Sequence, residues 1–138
     1  MMLYLDNAAT TLKKPLSVYA TLFKSTLFSG GNAGRGGHKM SMDAVRAIVD
    51  TQDLIAQLFN IKKAENIVFT QNATYALNTA ILGTMSNGGH IVVTEMDHNS
   101  VLRPACLPDN YTVVKADKSG YVHAEDIEKA VRKDTKLI

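Results

Sequence analysis

Short runs rich in β-branched residues alternate along this chain with segments of helical spacing, and this alternation constrains the fold more than any other feature. Four runs predict strands, namely IVFT at 67–70, HIVVTE at 90–95, YTVVKAD at 111–117 and TKLI at 135–138. The first of them is apolar enough to be buried on both faces of a sheet. Strands that alternate with helices predict a layered α/β fold with a mixed, mostly parallel sheet.

Apolar periodicity and end signals predict four helices. The first covers residues 16 to about 27, the second begins near residue 41, the third covers 75–83 and the fourth covers 125–132. Pro15 precedes the first, a position that favours a helix start. Ser41 is the predicted N-cap of the second, with Asp43 in its first turn. Gly83 is the predicted C-terminal stop of the third.

The segment SGGNAGRGG at 29–37 holds five of the nine glycines and predicts a mobile loop between two helices. It is not a P-loop, because that pattern needs Gly-Lys-Ser/Thr, whereas Gly36 is followed by Gly37 and His38. A dinucleotide-binding fingerprint fails as well, since its third glycine and its preceding strand are missing. A single RGG in a nearly neutral chain gives little support for RNA binding.

Composition names no partner. Fifteen basic and thirteen acidic residues give a net charge of +2, too small to indicate binding to nucleic acid or to an anionic membrane. The apolar runs are shorter than the roughly 20 residues of a membrane helix, and no signal-peptide order opens the chain. Cys106 is the single cysteine, which excludes an internal disulfide and a thiolate cluster for zinc. We therefore expect a cytoplasmic protein without a metal site.

The turn QNAT joins the predicted strand at 67–70 to the helix that follows. Such a turn directs free amides and the positive end of the helix dipole at the carboxyl edge of the sheet, where a phosphate is favoured. Asn72 and Thr74 add side-chain donors, and Ala73 is small enough to let the backbone approach a ligand. The alternative, which this motif alone favours, is that Asn72 or Thr74 is simply a helix cap.

The segment EMDHNSVLRP at 95–104 follows the predicted strand HIVVTE. A histidine at this place can stack on a flat aromatic ligand and exchange protons near neutral pH, which makes His98 a candidate catalytic residue. The alternative is a surface-loop histidine whose charge Asp97 balances. Both candidate segments follow strands of a predicted parallel sheet, and α/β sheets bind ligands at the carboxyl ends of their strands.

Three stretches in order carry a family resemblance: LDNAATT near the start, GNAGRGGHKMS, and FTQNATYALNTAILG followed by EMDHNSVLRP. They resemble the N-terminal part of the class V aminotransferases, in the cysteine desulfurase-like branch that includes selenocysteine lyases. The resemblance implies a pyridoxal 5′-phosphate (PLP) enzyme of fold type I, usually a homodimer, with a seven-stranded sheet in its large domain. Residues 1–40 would then be an N-terminal segment with an active-site loop, and 41–138 the first part of the PLP-binding domain.

The resemblance also implies roles for particular residues. Ala73 and Thr74 would hold the cofactor phosphate through their amides and the Thr74 hydroxyl, beside Asn72, and His98 would stack on the pyridine ring. Six residues would lie on the substrate side, namely Asn7, Ala8, Ala9, Asn32, Arg35 and His38. The glutamate that follows this threonine in the family is Tyr75 here, a departure that bears on the polar contact of that glutamate and not on the phosphate site.

The implied activity is removal of sulfur or selenium from cysteine or selenocysteine to give alanine, with transfer to a sulfur-acceptor protein. The PLP-binding lysine, the aspartate that pairs with the pyridine nitrogen and the reactive cysteine are all expected beyond Ile138. Since the chain ends inside a predicted strand, we expect it to be part of a longer protein. Because the PLP-binding lysine is not among residues 1–138, we expect this chain alone to be inactive. The alternatives are transamination, or a non-catalytic truncated module that dimerises or binds an anion.

Overall fold

A computed structural model describes residues 3–138, which form two units, one ending at Val68 and one beginning at Phe69. The first unit contains α1 (Leu16–Phe28), α2 (Lys39–Leu58) and a 3₁₀ turn at Ala64–Asn66. The second contains α3 (Ala73–Met85), β1 (His90–Thr94), α4 (Asn99–Cys106), β2 (Tyr111–Val114), α5 (Ala124–Ala130) and β3 (Thr135–Leu137). The predicted division into residues 1–40 and 41–138 was made by functional role and not by compactness, and it stays a prediction.

Helix α2 begins two residues before its predicted cap. His38 is the N-cap, and its Nδ1 accepts a hydrogen bond from the Ser41 amide at 3.4 Å. The prediction that Ser41 caps the helix is therefore wrong. Ser41 lies fully buried in the first turn, where its hydroxyl donates to the Asn32 carbonyl at 2.6 Å and fastens the glycine-rich loop to the helix. Asp43 falls beyond the first turn and forms an ion pair with Lys39 at 2.6 Å.

The segment IVFT at 67–70 is not a strand, which corrects the sequence-based prediction. Among residues 3–138 the sheet contains three strands in the order β2-β1-β3, and none of them pairs with this segment. Without a neighbouring strand its backbone has no ladder to join. Val68 and Phe69 are consequently exposed, at 78% and 50%, while the Gln52 side chain donates to the Ile67 carbonyl at 2.7 Å.

The sheet of the second unit is parallel throughout its described strands, which confirms the predicted α/β class. Strand β1 pairs with β2 in the register Ile91 to Tyr111, and with β3 in the register His90 to Thr135. Strand β2 ends at Val114, earlier than predicted, and beyond it the Ala116 amide donates to the Glu95 carboxylate at 2.7 Å instead of to a strand backbone.

The hydrophobic core lies between this sheet and the helices α3 and α4. Its buried members are Ile81, Met85, Ile91, Val93 and Ala105. The predicted stop of α3 at Gly83 is wrong, since the helix continues to Met85. Ile81 and Met85 are four residues apart and face the same core, so their burial carries the helix past the glycine. Helix α4, which contains Pro104, was not predicted.

His90 lies fully buried at the amino end of β1 and connects all three strands. Its Nδ1 lies 2.8 Å from the Thr135 hydroxyl oxygen, and its Nε2 lies 2.9 Å from that of Thr112. Burial lowers the pKa of this imidazole, and the nearby Arg132 charge lowers it further, while Asp134 acts in the opposite direction. His90 is therefore a neutral link between the three strands. It lies at the amino end of β1, whereas His98 follows the carboxyl end of the same strand.

None of the helices within residues 3–138 is both long enough and apolar enough to cross a membrane.

Candidate functional site

The first turn of α3 leaves two backbone amides available to a ligand. Asn72 is the N-cap, and its Oδ1 accepts a hydrogen bond from the Tyr75 amide at 2.9 Å. Within the part of the chain that the structure describes, the amides of Ala73 and Thr74 donate to no other group. Both stand at the positive end of a 13-residue helix, an arrangement that favours an anion.

The two interpretations of the QNAT turn apply to different residues. Asn72 is a helix cap, because its side-chain oxygen is used in the bond to Tyr75. The Thr74 side chain makes no such bond among the described residues, so its hydroxyl remains available beside the two free amides. Tyr75 contributes its amide to the cap and exposes its ring on a neighbouring groove with Thr79 and Leu82.

His98 is the N-cap of α4 and follows the carboxyl end of β1. Its Nδ1 accepts a hydrogen bond from the Ser100 amide at 3.1 Å and lies 2.9 Å from the Ser100 hydroxyl oxygen. Asp97 does not balance the charge of His98, since its carboxylate accepts from the Thr94 amide at 2.7 Å and from the Thr94 hydroxyl at 3.0 Å. Asp97 thus binds the last residue of β1, and Ser100 orients the histidine ring.

The first two turns of α3 and of α4, together with His98, line one pocket of about 350 Å³. Its lining residues are Thr74, Asn78, His98, Asn99, Ser100, Arg103 and Pro104. The structure therefore brings Thr74 and His98 together, although the strand predicted before Thr74 is absent. Arg103 adds a guanidinium group, whose charge favours an anionic ligand.

The six residues predicted for the substrate side all lie in the first unit and are exposed. Asn7, Ala8 and Ala9 belong to a segment outside any helix or strand. Asn32 and His38 meet at Ser41, which donates its hydroxyl to the carbonyl of the former and its amide to the ring of the latter. Arg35 forms no ion pair with another described residue.

Sequence reasoning missed five residues of the pocket, namely Asn78, Asn99, Ser100, Arg103 and Pro104. Asn78 follows Thr74 by four positions, so the two share a helix face once the helix is placed. Ser100 and Arg103 stand in the quoted segment after His98, but α4 was not predicted, and its residues therefore could not be assigned to a face. Among the residues that the structure describes, no cluster of histidine, cysteine or carboxylate side chains could hold a metal ion.

Comparisons with known proteins agree on one family. Residues 3–138 match the family model described as aminotransferase class-V. A probable cysteine desulfurase of Aeropyrum pernix is 39% identical over 105 residues, which cover 73% of this chain and 25% of that protein. The cysteine desulfurase IscS of Dictyoglomus turgidum is 33% identical over 144 residues, which cover 98% of this chain and 36% of that protein.

Solved structures show the same fold. A NifS-like protein superposes with a TM-score of 0.80 at 23% identity, over 94% of this chain and 36% of its own. DndA from Streptomyces lividans superposes with a TM-score of 0.74 at 25% identity, over 96% of this chain and 39% of its own. The chain thus spans between a quarter and about a third of the length of these curated relatives.

Proposed function

The chain belongs to the aminotransferase class-V family, and from that premise we propose that it forms the cofactor-binding part of a PLP-dependent cysteine desulfurase. The family is generally PLP-dependent, and curated relatives bear the name cysteine desulfurase. One observation carries the proposal for this chain: Thr74, whose amide is unused like that of Ala73 before it, lines the same pocket as His98.

The residues present fit the phosphate and the ring of PLP. A phosphate needs several convergent donors, and the first turn of α3 offers two amides and the Thr74 hydroxyl. Ala73 carries only a methyl group, so its backbone can be approached closely. His98 offers a flat ring at the pocket wall, and its Nδ1 is already bonded to Ser100. Asn72 supports the site by capping the helix that supplies the amides.

PLP, when bound, supplies the electron sink for bond breaking at the α-carbon of an amino acid. This chain's own residues bind and orient: Ala73 and Thr74 hold the phosphate end, and His98 covers one face of the ring. The proposed substrate is cysteine or selenocysteine, and the proposed product is alanine. Asn7, Ala8, Ala9, Asn32, Arg35 and His38 are proposed to face the substrate. A homodimer and a sulfur-acceptor protein are the proposed partners.

The substitution Thr74→Ala tests the proposed phosphate site, in the complete protein that the gene encodes. We expect its affinity for PLP to fall about tenfold, because a hydrogen bond to a charged group is lost. Pyridoxal, which lacks the phosphate, should bind both proteins equally. Fluorescence titration with the two ligands measures these affinities.

Thr79→Ala is the matched control, because Thr79 lies on the same helix outside the pocket and donates its hydroxyl to the Tyr75 carbonyl at 2.8 Å. Its affinity for PLP should equal that of the wild type. Equal affinities for Thr74→Ala and Thr79→Ala would contradict the proposed phosphate site. The second candidate function, an anion-binding module without catalysis, predicts that inorganic phosphate binds as tightly as PLP and that no alanine forms from cysteine.

A further inference from the structure

A continuous run of hydrogen bonds joins the first turn of α3 to the first turn of α4. Asn78 donates from Nδ2 to the Thr74 carbonyl at 2.8 Å and to the Ser100 carbonyl at 3.3 Å. Ser100 in turn holds His98 through its amide and its hydroxyl. The run therefore connects the turn proposed to bind phosphate with the ring proposed to stack on the cofactor.

The bond from the Ser100 amide determines which nitrogen of His98 carries the proton. A backbone N–H can only donate, so Nδ1 must present its lone pair to it. In the neutral imidazole the proton then resides on Nε2. The Ser100 hydroxyl lies 2.9 Å from Nδ1 and can donate to the same nitrogen. Nε2 has no partner among residues 3–138, so His98 offers an N–H group to a ligand.

The side chain of Asn78 is suited to its place because it donates twice. Its carboxamide lies half-buried between carbonyl groups of two helices, and Ser100 is buried. An aspartate has nearly the same shape but no N–H group, and it would direct negative charge at both carbonyl oxygens. The contact between the two helix starts thus depends on the amide nitrogen of one residue.

We propose that Asn78 and Ser100 are positioning residues for PLP. Ser100 fixes the His98 ring in the tautomer protonated at Nε2, and Asn78 holds that ring against the phosphate-binding turn. The identity of the ligand rests on the proposed function, whereas the tautomer is a property of the cofactor-free protein. In its neutral form His98 donates from Nε2 and does not accept a proton at that atom.

Nitrogen NMR of the ¹⁵N-labelled, cofactor-free protein tests the tautomer directly. We expect a coupling across the hydrogen bond between the Ser100 amide nitrogen and His98 Nδ1, and a protonated Nε2 at a pH where the ring is neutral. His98→Gln identifies the signals by removing them. Ser100→Ala keeps the backbone amide bond and removes only the hydroxyl that also reaches Nδ1, so it should raise the Nδ1-protonated population only slightly, and Ser100→Thr should restore the wild-type one. A wild-type ring protonated at Nδ1 would overturn the inference.

PLP titration of Asn78→Asp tests the link between the helices. We expect affinity to fall about tenfold relative to Asn87→Asp, which adds the same charge at an exposed site after α3. Thermal melts show whether Asn78→Asp folds. If it does not, the PLP affinities of Ser100→Ala and Ser100→Thr test the positioning role instead. Failure of the wild type to bind PLP would overturn the proposed function, with the NMR result unaffected. Equal PLP affinities of the two folded aspartate variants would overturn the positioning role alone.

Discussion

His90 shows how one buried residue makes stability depend on pH. The unfolded chain binds a proton there near the ordinary pKa of 6.5, whereas burial lowers the pKa of the folded imidazole. The folded state therefore binds fewer protons over the interval between the two pKa values. We expect the contribution of His90 to the free energy of unfolding to be constant at pH values well above its ordinary pKa of 6.5 and to fall as the pH drops through that interval. Urea unfolding at a series of pH values measures it.

His90→Gln should flatten this dependence, since glutamine does not titrate. His123→Gln should leave it in place, because His123 lies exposed near Asp117 and outside the strand contacts. Asp117 cannot produce the same change. Hydrogen bonds from the Ser119 hydroxyl and from the Tyr121 and Ser119 amides hold its pKa at about 2, so this carboxylate takes up its proton only at much more acidic pH. An identical pH profile for wild type and His90→Gln would contradict this account.

Helix α3 contains a glycine that its packing does not require. Outside its own stretch of helix, no atom lies within 4 Å of a Cβ built on Gly83, and Ile81 and Met85 supply the buried contacts of α3. Gly83→Ala should therefore raise the free energy of unfolding by about 1 kcal/mol, because alanine restricts the unfolded chain and favours the helix. Thermal or urea unfolding measures the change.

Gly31→Ala provides the comparison of opposite sign. A Cβ at Gly31 would lie 2.6 Å from the Ser41 amide nitrogen and would also meet the Met40 carbonyl, so the loop or the start of α2 would have to move. Gly37→Ala, where nothing lies within 4 Å, controls for a glycine replacement in the same loop. A destabilising Gly83→Ala would contradict the inference that the space beside Gly83 can hold a methyl group.

The elements differ in how far sequence alone predicts them. Helix α1 and strand β1 form as predicted, because Pro15 and a run of β-branched residues act locally. The run at 67–70 has the same local signal as β1 but no pairing strand among the residues that the structure describes, and pairing is a non-local property. Helix α4 escaped prediction because Pro104 and polar residues interrupt its pattern.

The residues of the pocket also differ in whether the sequence alone could predict them. The family resemblance pointed to Thr74 and His98, and the pocket contains both. Asn78 and Ser100 could not be predicted as a pair, because their contact joins residues 22 positions apart on two helices. The hydrogen-bonding role of a polar side chain depends on what tertiary packing places next to it, and the residue type alone does not state that.

At the scale of the whole chain, the apolar surface of α1 predicts association. None of its residues is buried, and Leu22 and Phe23 are 65% and 69% exposed. A net charge of +2 gives little repulsion between copies. We expect the average mass in light scattering to rise with protein concentration, since exposed apolar area favours contact with another molecule.

Leu22→Glu should shift that association to higher concentration by placing a charge on the apolar helix. Leu107→Glu is the matched control, because Leu107 is 71% exposed, lies at the end of α4 in the second unit and receives the same charge. If both variants weaken association equally, net charge governs it and α1 has no special part. If the wild-type mass stays at the monomer value over the whole concentration range, the apolar surface of α1 does not drive association, and the homodimer proposed from the family would need another surface.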